Sequence, residues 1–89
     1  MRSIKYSDGF IADVAAFEEQ LDLDLLDRVL EGIETFPSHG SPCIRFSLSN
    51  RFGSNARKVP IGVFLIIYTY DDESDEVIFA GIIPQRAVV

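Results

Sequence analysis

His39 and Cys43, four residues apart in the run PSHGSPC, are the chain's single histidine and single cysteine. A thiolate nucleophile needs an imidazole nearby to take its proton, and this pair has those residue types. Both lie in a Pro- and Gly-rich stretch with no element to hold them at bonding distance, so an incidental pairing is the simpler reading. One His and one Cys cannot close a four-ligand zinc site, and no metal is expected. The acidic run DDESDE, 71 to 76, offers oxygens without the spacing or glycine of a calcium loop and reads as a solvated turn. In SNRFGSN, small residues around Arg51 would let a phosphate approach, but the lysine and length of a phosphate-binding loop are missing. None of these runs implies a cofactor.

The cations are informative for where they fall. Residues 1 to 36 carry nine acids against Arg2, Lys5 and Arg28, a net of −6, and residues 71 to 89 carry five acids against Arg86, a net of −4. Between them, residues 37 to 70 carry Arg45, Arg51, Arg57 and Lys58 and no acid, a net of +4. Such a band could face phosphate or an acidic peptide, or could simply balance the acidic segments around it. Tyr68 and Tyr70 fall beside it, sharing a face with Phe64 and Ile66. They would stack bases if exposed, but aromatics at strand spacing in so apolar a run are expected in a core. Phe52, in the loop-like SNRFGSN, is the better candidate for an exposed aromatic.

The elements that must position these residues start with the two most apolar runs, VFLIIYTY (63 to 70) and VIFAGII (77 to 83). With side chains alternating at a period of 2, Val63, Leu65 and Ile67 oppose Phe64, Ile66 and Tyr68; Val77, Phe79 and Ile83 oppose Ile78, Ala80 and Ile82. Both strands need cover above and below. SIKY suits a short first strand with Ile4 and Tyr6 on one face. Ser7 or Asp8 can cap a first helix whose stripe is Phe10, Val14, Phe17 and Leu21. Asp22 or Asp24 can cap a second, with Leu26, Val29, Leu30 and Ile33, and Pro37, Gly40 and Pro42 stop it. Helices joined so closely lie side by side on one face, which leaves the sheet's other face wanting a partner. CIRFSL alternates as a half-buried strand, ARKV would pair next, Pro60 marks a strand end or an edge, and Pro84 ends the sheet. The reading is α+β: a helix hairpin packed on a curved antiparallel sheet of four to five strands, in one domain spanning 1–89.

This order, together with SIKYSDGFIADVAAF, RVLEGIETFPSHGSP and ARKVPIGVFLIIYTYDDESDEVIFAGIIPQR, resembles the RelE/ParE superfamily of toxin-antitoxin toxins over nearly the whole chain. The resemblance implies a toxin that binds a macromolecular target and is neutralised by a cognate antitoxin. The target would be DNA gyrase, as for ParE-type members, or messenger RNA at the ribosome, cut by RelE-type members. It places Lys58, with Arg57 beside it, on the family's basic strand and matches Arg86 to the arginine after the last strand. Lys58 and Arg86 are thus the candidate catalytic residues, and Arg45, Arg51 and Arg57 the candidate target or phosphate contacts. Departures weigh against the nuclease: Leu65 stands where many members carry arginine, Pro84 where some carry histidine, and no aromatic follows Arg86. The alternative is a non-toxic relative acting as a homodimer or interaction module.

Bulk properties fit either reading. A length of 89 residues is near the lower limit for a self-sufficient core, and hydrophobic content of 47% makes the most of it. A sequence pI near 4.5 is low for a protein that must approach ribosomal RNA, where phosphate contacts rely on Lys or Arg. No apolar run is long enough to span a bilayer and MRSIKYSD lacks a signal's apolar segment, so a cytoplasmic protein with no membrane association is expected.

Overall fold

The computed structural model describes residues 2–42, 52, 53 and 55–87. In chain order the elements are β1 (Ser3–Tyr6), α1 (Asp8–Phe17), α2 (Leu23–Thr35), a 3₁₀ turn (Pro37–His39), β2 (Ser41–Pro42), β3 (Ala56–Ile61), β4 (Phe64–Asp71), β5 (Glu76–Pro84) and a second 3₁₀ turn (Gln85–Ala87). The strand expected over CIRFSL lies outside the described residues, as do Cys43, Arg45 and Arg51.

Both helix starts follow from side-chain oxygens taking up orphan amides: Ser7 Oγ accepts from the Phe10 N–H at 3.1 Å and Asp22 Oδ1 from the Leu25 N–H at 3.1 Å. Thr35 is the last residue of α2, two before Pro37. Gly62, at φ 58°, and Val63 form the two-residue turn between β3 and β4. Glycine accepts that backbone angle without strain. Val63, expected inside a strand, is therefore 70% exposed at the turn.

The five strands are ordered β1-β5-β4-β3-β2. The expected all-antiparallel sheet is corrected to a mixed one, because β1 runs parallel to β5 from Ser3↔Glu76 to Tyr6↔Phe79. The helices bring the chain back so that β2 runs against β1, and three further reversals leave β5 running with it. Pro60, with no N–H to offer, falls on the part of β3 beyond its pairing with β2.

A bulge in β5 changes the expected facing of its residues. Ile67 pairs with Gly81 but Tyr68 pairs with Phe79, so Ala80 is the extra residue. Ile82 consequently joins Val77 and Phe79 on the helix side and Ile83 turns to the other, the reverse of strict alternation. β1 ends opposite the bulge, and α1 serves the polar groups there: Ser7 Oγ donates to the Ala80 carbonyl at 3.0 Å, and Asp13 Oδ2 accepts from the Ile82 N–H at 2.9 Å.

Two cores result. On the helix side Phe10, Leu21, Leu26 and Ile33 pack on Val59, Ile61, Phe64, Ile66, Tyr68, Val77, Phe79 and Ile82. On the opposite face Ala56, Leu65, Ile67 and Ile83 form a second cluster, against which Phe52 and Ala80 pack. That face was expected to need an outside partner. The chain itself buries it, with Ile67 wholly inaccessible, and the aromatic expected to be exposed, Phe52, is half-buried as part of the cover.

Candidate functional site

Arg57 and Lys58 are neighbours on β3 and point to opposite faces. Arg57 pairs with Tyr68 and projects on the helix side, where it donates from Nη1 to the Gly40 carbonyl at 2.6 Å and the Ser38 carbonyl at 3.3 Å. The same segment is gripped by Tyr68, whose buried hydroxyl donates to the Pro37 carbonyl at 2.6 Å and accepts from the Gly40 N–H at 2.9 Å. Arg57 is thus a brace for the loop ahead of β2, and Tyr68 is core rather than a stacking platform. Nothing in the sequence marks Gly40 as their partner, since the contacts span 17 residues from Arg57 and 28 from Tyr68.

Lys58 sits opposite Ser41 and Ile67, on the face away from the helices. Arg86 lies past the end of β5, on the rim of an open groove of about 500 Å³ lined by Phe17, Gln20, Val63, Phe64 and Pro84. Phe17 belongs to α1 and packs on Phe64 with ring centroids 4.9 Å apart, so this groove opens on the helix side of the sheet's end. Gln85 fixes the turn carrying Arg86: its N–H donates to the Val63 carbonyl at 2.7 Å and its side-chain amide to the Gly62 carbonyl at 2.9 Å. Lys58 and Arg86 therefore occupy different faces and do not converge on one reacting group. His39 is exposed in the first 3₁₀ turn.

Among the described residues, a cation that sequence reasoning did not single out, Arg2, has the densest set of partners. Arg2 donates from Nε to Asp75 Oδ1 at 2.8 Å and from Nη1 to the carbonyls of Glu34 and Thr35 at the end of α2. The Tyr70 hydroxyl donates to the same Asp75 oxygen at 3.0 Å, and the guanidinium lies 5.7 Å from the Tyr70 ring centroid. Hydrogen bonding from Arg2 holds the Asp75 carboxyl below its ordinary range, and the bond to Asp75 raises the Tyr70 hydroxyl above its own. Near Tyr6, burial first and then the bond to Glu34 raise the phenol. These groups tie β1, α2 and the β4–β5 turn together. A cation at a helix C-terminus also opposes the dipole there.

The architecture is thus a two-helix layer on a five-stranded mixed sheet, with an open groove bordered by Arg86 past the last strand. The model of the ParE toxin of the type II toxin-antitoxin system parDE matches residues 4–88, and the chain belongs to that family. Its fold is similar to that of YafQ from E. coli, at 17% identity over 98% of this chain and 97% of that one, with a TM-score of 0.69. It is also similar to a chain of the toxin-antitoxin complex RelBE2 from Mycobacterium tuberculosis, at 17% identity over 93% and 96% with a TM-score of 0.63. A metal-bound toxin from Helicobacter pylori matches at 16% identity over 100% of both chains with a TM-score of 0.61. No curated protein sequence matches it. Among the described residues no helix is long and apolar enough to cross a membrane.

Proposed function

We propose that this toxin acts by binding a protein target, in the manner of a gyrase poison, rather than by cutting messenger RNA at the ribosome, and that a cognate antitoxin neutralises it. The observation that carries the reading is the composition of the sheet face opposite the helices. Ribonuclease members use lysines and arginines of the sheet, whereas here Leu65, Ile67 and Ile83 make a buried apolar cluster under Phe52. Among the described residues, that face offers Lys58 from β3, and Lys5 from β1 is paired with Glu76 at 3.0 Å. Strand scission requires a proton acceptor, a proton donor and clustered positive charge at one phosphate. Arg57 is engaged by backbone carbonyls and Arg86 lies at the sheet's end, so among the described residues Lys58 has neither of them beside it.

In the binding reading, Arg86 and the apolar groove beside it contact the target, and Lys58 makes a separate contact on the other face. The test is induced expression with and without the neighbouring small gene, followed by supercoiling assays with purified gyrase and primer extension on ribosome-bound messenger RNA. Growth arrest with inhibited supercoiling and intact messages is expected. Codon-specific cleavage would overturn the proposal in favour of the nuclease. Unimpaired growth would favour the non-toxic relative.

A further inference from the structure

The groove beside Arg86 has two banks of opposite character. On one, Val63 and Arg86 project from the β3–β4 turn and the second 3₁₀ turn. On the other, Gln20 lines the groove and is followed three residues on by Leu23, a reach of at most about 11 Å. Leu23 and Val63 are large apolar side chains left in solvent, 48% and 70% exposed. Arg86 is the one charged residue lining the groove among the described residues, and it makes no ion pair among them. Exposed Asp22 and Asp24 flank Leu23. Asp22 gives one oxygen to the Leu25 N–H, whereas Asp24 has no ion pair among the described residues. The walls are fixed by the bonds of Gln85 to the Val63 and Gly62 carbonyls and by the packing of Phe17 on Phe64, so the hollow is formed before an occupant arrives.

A contact about a two-fold axis needs one patch that carries both halves of the fit. This patch has an apolar hollow, two apolar knobs beside it, a cation on one bank and carboxylates on the other. We propose that a second copy of this chain seats on the groove, Leu23 and Val63 of each copy entering the hollow of the other and Asp24 of each pairing with the partner's Arg86. A foreign acidic segment would satisfy Arg86 but would meet Asp22 and Asp24 on the far bank, whereas the two-fold axis joins opposite charges on both banks. The formal charge of −6 on each copy opposes encounter, so the dimer belongs to high concentration. The inference rests on the binding reading only for its consequence: with the target contact at this groove, the dimer is the form in which that contact is covered.

Sedimentation of the full chain from micromolar to millimolar concentration should show monomer giving way to dimer. Arg86→Glu sets two acids against each other at both contacts, and Asp24→Arg sets two bases. Each variant alone should raise the dissociation constant at least about tenfold. An equal mixture of the two should restore the dimer, because each mixed pair joins an acid to a base at both contacts. Val63→Ser, at an exposed turn, should weaken the dimer without changing charge, and circular dichroism should show all three variants folded. A wild type that stays monomeric throughout, variants that dimerise as well as wild type, or a mixture that stays monomeric would overturn the proposal. Growth is read separately: a dimer without growth arrest counts against the toxin reading alone, and growth arrest by a strict monomer counts against the dimer alone.

Discussion

Replacing Tyr68 with Phe deletes one oxygen from a fully buried ring, and the fold makes that oxygen expensive to lose. It is the acceptor for the Gly40 N–H at 2.9 Å and the donor to the Pro37 carbonyl at 2.6 Å, and both residues are buried. Each group left without a partner costs about 1–3 kcal/mol, so the variant should lose about 2–6 kcal/mol. That is a large part of the roughly 5–10 kcal/mol available to so small a domain. Gly40→Ala attacks the same contact from the other side. Its φ of −67° suits alanine, but a Cβ there would sit 2.4 Å from the Tyr68 hydroxyl and 2.9 Å from two ring carbons. The penalty is therefore steric, and the rigid ring between sheet and loop has little room to retreat. Combined, the two changes should cost less than their sum, because removing the hydroxyl removes the worst clash. Urea unfolding of the three variants reads this directly. A Tyr68→Phe variant within about 0.5 kcal/mol of wild type, or strict additivity in the double variant, would refute the clamp.

Ile67→Ala should cost about 2–5 kcal/mol, read by thermal unfolding, because it hollows the smaller core under Phe52. Asp13→Ala should cost roughly 1–3 kcal/mol by orphaning the Ile82 N–H at the bulge, and Asp13→Asn should recover part of it in the same measurement. The Asp75 carboxyl is held below its ordinary value of 3.8, so it favours the folded state above that value and loses its contribution as pH falls through the lower folded value; Arg2→Gln should shrink this acid-side drop in Tm. Lys58→Ala and Arg86→Ala should each leave stability within about 0.5 kcal/mol of wild type, and their effects on growth arrest should multiply in the double variant, since the two lie on different faces.

Local rules in the sequence carried the helices and the hairpins. Ser7 and Asp22 cap where a cap oxygen precedes an apolar stripe, and Phe10, Leu26 and Ile33 are buried as their spacing requires, while Leu21, expected on the first helix, is buried beyond its end at Phe17. The turn at 72–75 and the end of β5 at Pro84 follow from acidic and proline signals just as local. What was not legible depends on residues far apart in the chain. β1 finds β5 across more than seventy positions, and nothing in SIKY distinguishes a parallel partner from an antiparallel one. The bulge at Ala80 follows from where β1 stops and from Ser7 and Asp13 meeting the exposed ladder, so period-2 reading put Ile82 and Ile83 on the wrong faces. Of the candidate site residues, Arg57 has bonds to the Ser38 and Gly40 carbonyls that the sequence does not show, because backbone carbonyls leave no mark on side-chain identity. Lys58 and Arg86 were matched by family pattern; their separation is set by strand facing and by the turn at Gln85–Ala87.

The placement of β5 between β1 and β4 has a bearing on when this protein acquires its shape during synthesis. β1 leaves the ribosome before the other four strands of the sheet, yet the strand that joins it to the rest, residues 76–84, is the last of the five to follow. Until those residues emerge, β1 has no sheet neighbour and β4 lacks one flank. Closing so long a loop is entropically costly and comes late. A nascent chain truncated before Glu76 would hold both helices and β3–β4 without the strand that joins β1 to β4, so the five-stranded sheet closes only once β5 has been made.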